Sequence, residues 1–452
     1  MIRRTLTTPG EGCLLSSCLQ DEKHPREDRS GDLWGIISHM RRTRPTLLAL
    51  TWVASVAAGY PYRAAEPADE PPPTFTAAQL LTPAELRGPH HTVADAVRTD
   101  GYYHEFRITS DFGEFEAAGR TMLAVRLHEI TALAQLDEVS KTEVFLRSAG
   151  TSVVNVGRGV ATAVSNPADT ARGVGSGVKR LGVNLGRMTR RTVDSATSED
   201  PAEEPAPGGN AAVGAAQGVL GVNRAARRWA QKVGVDPYST NPVLRQALGD
   251  FGRVDAAGSI ATKVFLPIPG VVGMTATVSD LVWGKDPEEL RKINEQRLRD
   301  LGVPGGTAQR LFRNSAMTLS YETRLIAALH ALQLPGAADR VAAAAESRHE
   351  REALFHVESA ELLQERHAKT PFTGLLTDSL ATVAVTADRR AVVLLPIDWL
   401  RWTDTAASTL RDIDARSRKE LKATRLLIVL TGKASSLAAG EIAAQGWVLP
   451  GT

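Results

Sequence analysis

Residues 197–210 read TSEDPAEEPAPGGN, an acidic, proline-rich stretch with no large apolar side chain. Such a stretch cannot bury enough surface to fold, so no helix or strand runs through it. It predicts a boundary between a unit over 100–196 and a helical region over 211–370. Just upstream the composition inverts. Between Gly150 and Met188 there are eight glycines, and from Arg158 to Arg191 seven basic residues face one acid, Asp169. Val174, Val178, Leu181, Leu185 and Met188 recur at helical spacing, flanked by Lys179, Arg180 and Arg187. Each helix-interior glycine costs roughly 0.5–1 kcal/mol relative to alanine, so this helix needs a surface to order it. Three surfaces fit: the protein's own core, an anionic membrane that takes the Val/Leu stripe, or a coiled-coil partner.

Global charge does not mark a polyanion binder, because the net charge over 452 residues is only +2. No aromatics interleave with the arginines of the basic segment, which argues against nucleic acid. Two cysteines, Cys13 and Cys18, make neither a disulfide scaffold nor a zinc site. Leu15 to Cys18 look like a lipoprotein box, but no hydrophobic segment precedes them.

A secretory signal is readable over 40–59. Met40 is followed by Arg41, Arg42 and Arg44, then by LLALTWVASVAAG at 47–59. A basic start, an apolar run of about a dozen residues and small residues at its end is the export pattern. Ser55 and Ala57, or Ala57 and Gly59, offer the cleavage site. This places the translation start at Met40, makes 1–39 a leader outside the true chain, and leaves a mature product without cysteine in the periplasm or cell envelope. Residues 60–99, with AAEPADEPPP at 64–73, read as a flexible lead.

Beyond the lead, Tyr102, His104, Phe106 and Ile108 alternate with polar residues, and 110–113 supplies a turn to a second strand with Phe115 inward. Leu123, Leu127, Ile130 and Ala134 predict a helix, and Ser140 to Glu143 a capping box for another. Asn241-Pro242 and Asp286-Pro287 each read as an N-cap followed by proline in the first turn. The apolar run 264–279 is broken by Pro267, Pro269, Gly270 and Gly273, so it reads as buried loop and short helix. Helical runs at 320–334 and 341–367 follow. The tail predicts a hairpin (380–386, 391–395), a helix (404–421), and a strand–helix–strand unit from 426 to 449. The fold class is therefore α+β, mainly helical, with an N-terminal hairpin-plus-helix and a small C-terminal α/β module over 371–452.

Three stretches, YYHEFRITSDFGEFEA at 102–117, VDPYSTNPVL at 235–244 and LTGKASSLAAGEIAAQGW at 430–447, resemble a group of exported bacterial proteins with no assigned activity. The resemblance covers about 101–449 and implies organisation and compartment, with no chemistry attached.

Candidate sites are few. Gly432-Lys433 follows an apolar strand, yet Leu427 and Ala434 stand where a phosphate loop needs glycine and Ser/Thr. Lys433, Ser435 and Ser436 at a helix start remain a candidate anion site, against which stands a simple capping role for Ser435. His349, Glu352 and His356 share a helix face with His367 beyond, but Arg348 and Arg351 mark that face as solvated, and His90-His91 fall in a loop. No catalytic residue, metal site or cofactor is predicted. These features predict a non-enzymatic exported envelope protein whose partner is an anionic membrane surface or envelope component, met through Val174, Val178, Lys179, Arg180, Leu181, Leu185, Arg187 and Met188. The alternative is a hydrolase or small-ligand-binding protein with a site between the helical region and the C-terminal module.

Overall fold

The computed structural model describes residues 69–142, 145, 224–257, 271–379 and 381–450. The chain divides into two units, Met1–Arg42 and Thr43–Thr452, and all described residues belong to the second. The leader, the signal pattern, the basic segment and the acidic linker lie outside the described residues.

The N-terminal sheet is antiparallel and built around β5 (His104–Ser110). Its partner β6 (Gly113–Ala118) pairs Phe106 with Ala117 and Ile108 with Phe115. The alternation reads through directly: Tyr102, His104, Phe106 and Ile108 are buried while Glu105, Arg107 and Thr109 face solvent. The opposite edge of β5 is covered by β3 (His91–Val93) and β4 (Ala96–Thr99). β1 (Phe75–Thr76) and β2 (Arg87–Gly88) complete the sheet, with one-turn helices α1 (Ala77–Leu80) and α2 (Pro83–Leu86) between them. A flexible lead over 60–99 therefore does not hold from Asp69 onward. Elements of two to four residues carry too little periodicity to register, and they are ordered by packing Ala77, Val93 and Val97 into the core.

α3 (Arg120–Ser140) packs against β6. It runs one turn farther than predicted, since Val139 is still buried, so Ser140 closes it by donating to Asp137 O at 2.7 Å. The capping role passes to Thr142, whose Oγ1 accepts the Phe145 N–H at 3.3 Å. The helical part comprises α4 (224–233), α5 (Pro242–Ala257), α6 (Ala276–Gly284), α7 (Pro287–Asp300), α8 (Gly305–Arg313), α9 (Leu319–Leu332), α10 (Ala337–Ala345) and α11 (Glu350–Lys369). Asn241 Oδ1 accepts from Val243 and Leu244 N–H, and Asp286 Oδ1 from Glu289 N–H, as their sequences require. The run 341–367 divides between α10 and α11, with the break at Glu346 to His349. α9 lies along α11 and α7 along α9.

The C-terminal sheet has the order β11-β9-β8-β7: β7 (Phe372–Leu375), β8 (Thr382–Thr386) and β9 (Arg390–Leu395) are antiparallel neighbours. β11 (Arg425–Leu430) lies parallel to β9, reached through α12 (Asp404–Glu420). Val448 extends the sheet by one parallel bridge to Leu427, so the 426–449 unit exists in reduced form. A separate parallel pair, β10 (Trp399–Leu400) with β12 (Lys433–Ala434), leads into α12 and α13 (Ser436–Ala444). α11 packs on β8 and β9, and one continuous hydrophobic cluster runs from Ala77 through α3, α9 and α11 to Val429. The described parts of 100–196, 211–370 and 371–452 thus share one main core, with a smaller cluster of Val278, Val282 and Leu290 beside it. Among the described residues no helix is long and apolar enough to cross a membrane.

Candidate functional site

Charged side chains collect where α3 crosses the loop before α5 and the α9–α11 pair. Glu129, 2% exposed, accepts from Arg126 Nη1 at 2.8 Å, from Asn241 Nδ2 at 2.9 Å and from Ser239 Oγ. Arg126 Nη2 donates to Thr240 Oγ1 at 2.7 Å, and Thr240 and the Tyr321 hydroxyl both donate to Glu350 Oε1. Arg324, almost fully buried, makes a two-pronged pair with Glu361 at 2.8 Å on each prong. Asp236 accepts from Ser320 Oγ at 2.6 Å and from Tyr238 N–H at 2.8 Å.

These groups border two small chambers. The first, about 30 Å³, is lined by Arg126, Glu129, Asp236, Ser239, Tyr321 and Arg324 among others. The second, about 20 Å³, is lined by Tyr103, Arg120, Arg351, Glu358 and Asp398, and shares Thr121 and Leu354 with the first. Each has room for a water or two, since one water needs roughly 10–15 Å³ by this measure. Arginines and carboxyl groups are equal in number around them, and burial shifts two of the carboxyls upward. Burial pushes Asp236 up to about 6 despite its hydrogen bonds. Burial likewise pushes Glu358 up to about 7, with Glu361 and Asp398 adding to the rise against Thr121 and Arg324. Glu358 Oε1 has no hydrogen-bond partner among the described residues. Chemically this is a buried polar layer with its donors and acceptors largely spent on one another.

Other candidates scatter. Ser435 is the N-cap of α13, accepting from Ala438 N–H at 3.0 Å. Its hydroxyl also donates to Glu70 Oε2 at 2.6 Å, so an internal carboxylate already sits at that helix start. Lys433 is exposed in β12, and Ser436 begins the helix. Gly432 is there for packing: a Cβ would lie 2.0 Å from Asp398 O. His349 precedes α11, Glu352 accepts from Arg348 N–H at 2.6 Å, and His367 Nδ1 accepts from Phe372 N–H. Burial and then the Arg340 cation push His356 down to about 3. His90 pairs with Asp111, and His91 with the Glu85 carbonyl. Among the described residues no three His, Cys, Asp or Glu side chains are placed to hold a metal ion. The membrane-contact candidates from Val174 to Met188 lie outside the described residues.

The polar layer escaped sequence reading because its members, from Arg126 to Glu361, share no local spacing. The one available signal was the 236–241 loop, read only as a cap. Comparison with protein-family models, with curated proteins and with solved structures found no match.

Proposed function

We propose that this chain is an exported bacterial cell-envelope protein that binds rather than catalyses, and that its folded body displays the basic segment 150–196 to an anionic membrane surface or another envelope component. The observation that supports it lies at the base of that segment. Phe145, the last described residue before 146–223, and Trp229, shortly after it, both pack against Phe251 of α5, one tilted and one edge-on, with ring centroids 4.5 and 4.9 Å away. All three are fully buried. The two described ends that flank 146–223 therefore meet at one aromatic clasp, which suits an insertion that the fold carries at little cost. Near an anionic surface each Lys or Arg of the segment adds about 1 kcal/mol, and the Val/Leu stripe adds its burial. The signal pattern at 40–59 supplies the compartment.

The hydrolase or small-ligand reading draws on the chambers beside the 236–241 loop. At about 30 Å³ the larger falls far below the roughly 300–1,000 Å³ of small-molecule sites, and the wider cleft of about 410 Å³ beside Arg310, Asn314 and Glu346 is lined by the helical region with no residue of the C-terminal module, so this reading stands second.

The test compares the whole chain with one in which a short Gly/Ser linker replaces 146–223. We expect both to melt cooperatively, and only the whole chain to sediment with phosphatidylglycerol vesicles, less so as salt rises, and not with phosphatidylcholine. Equal binding by the shortened chain, or binding by neither, overturns the proposal.

A further inference from the structure

The chain's acidic lead is held in a built clamp. Glu70 N–H donates to Trp402 O at 3.1 Å, and Glu70 Oε2 accepts from Trp402 N–H at 3.0 Å and from Ser435 Oγ at 2.6 Å. Arg401 Nη1 donates to Glu70 O at 2.9 Å, and Asp69 Oδ1 accepts the Asp404 N–H at 2.8 Å. Ser435 is 3% and Trp402 5% exposed, so the receiving groups are fixed parts of the body. Arg401 is seated against Gly101, where a Cβ would lie 2.8 Å from its Nε, so the absence of a side chain leaves the space it occupies.

The topology explains why this place takes carboxylates. β10 and β12 are parallel, and each runs directly into a helix, α12 and α13. Both helix starts consequently lie at the carboxyl end of one two-stranded sheet, with their free N–H groups and positive dipole ends together. The sequence presented to the clamp is EPADEPPP at 66–73. Proline after Glu70 biases that residue to extended backbone, which lets its N–H and C=O both pair with the 401–402 strand end.

The same pattern occurs once more in the chain. Residues 200–207 read DPAEEPAP, which aligns with 66–73 so that Glu203 and Glu204 stand for Asp69 and Glu70, Pro205 follows as Pro71 does, and Pro201 and Ala202 precede as Pro67 and Ala68 do. We propose that the clamp formed by Arg401, Trp402, Ser435 and the Asp404 N–H is a recognition site for acidic, proline-flanked peptide, and that residues 200–207 of this chain are its second ligand, exchanging with the lead.

Backbone hydrogen exchange across 400–406 in the full chain tests this. D69N/E70Q should speed exchange of the Trp402 and Asp404 amides only slightly, because the linker takes the vacated place. Adding E203Q/E204Q should then speed it by about tenfold or more, the effect of losing a hydrogen bond to a charged group. Synthetic DPAEEPAP added to the fourfold variant should restore slow exchange, and DPAQQPAP should not. Identical exchange in the twofold and fourfold variants, or no restoration by DPAEEPAP, overturns the proposal. E70Q alone, with and without E203Q/E204Q, gives the same comparison if melting shows D69N/E70Q to be unfolded.

Discussion

Glu129 shows what single residues do in this interior. It neutralises Arg126 and also orients Ser239 and Asn241, the residues that start α5. Removing one partner of a buried ion pair costs about 3–5 kcal/mol, because the remaining charge stays buried and unanswered. E129A is therefore expected to lower unfolding free energy by that amount in urea titration. R126M/E129L removes both charges and should recover only part of the loss. Ser239 Oγ and Asn241 Nδ2 would still lack an acceptor, at about 1–3 kcal/mol each. Full recovery would mean that the pair alone, without its role at the α5 start, sets the local stability. Little of this was legible beforehand. The sequence showed Asn241 as a cap because Asn followed by Pro is a local signal, whereas the acid that fixes it lies 112 positions away.

At the level of elements, local chemistry was read well and long-range packing was not. The 102–117 hairpin, the proline-started helices and the 380–395 hairpin follow from spacing alone, since their defining contacts lie within a few residues. The elements over 75–99, strand β7 and the division of 341–367 escaped, because each owes its form to something distant. Glycines separate the two kinds of constraint in one region. Gly432 meets the Asp398 backbone so closely that a methyl group has nowhere to go, whereas nothing lies within 4 Å of a Cβ at Gly440 inside α13. G432A is expected to destabilise by about 1–3 kcal/mol or more through overpacking and to loosen the β10–β12 pair. G440A should stabilise by about 0.5–1 kcal/mol, as helix propensity dictates. Thermal melts of the two variants should move in opposite directions. A neutral G432A would show that the strand pair is free to shift.

For the whole molecule, the interior carboxyl groups set a pH dependence whose sign can be derived. Burial raises Asp236 to about 6, Glu358 to about 7 and, against Arg291, Glu322 to about 8. In each case the folded state binds the proton more tightly than the unfolded chain, so its contribution is complete at low pH and is lost as pH rises through the folded value. Two histidines act oppositely. Burial, with nearby arginines, lowers His104 to about 4 and His356 to about 3, so their contribution is present above 6.5 and is lost as pH falls. Between about 4.5 and 6 the two histidines offset only two of the three carboxyls, so stability should already fall gently with pH. Above 6.5 the histidines no longer contribute a slope, and Glu358 and then Glu322 remain. Melting temperature is therefore expected to decline gently from about pH 5 and to keep falling toward pH 8. E322Q, which fixes the side chain in a neutral form, should flatten the fall between about pH 7 and 8 more than E358Q does, because Glu322 keeps its proton to the higher pH. A melting temperature that climbs from pH 6.5 to 8 in the wild-type chain would mean that these carboxyls are ionised in the folded state. The polar layer would then be held by its arginines and not by retained protons.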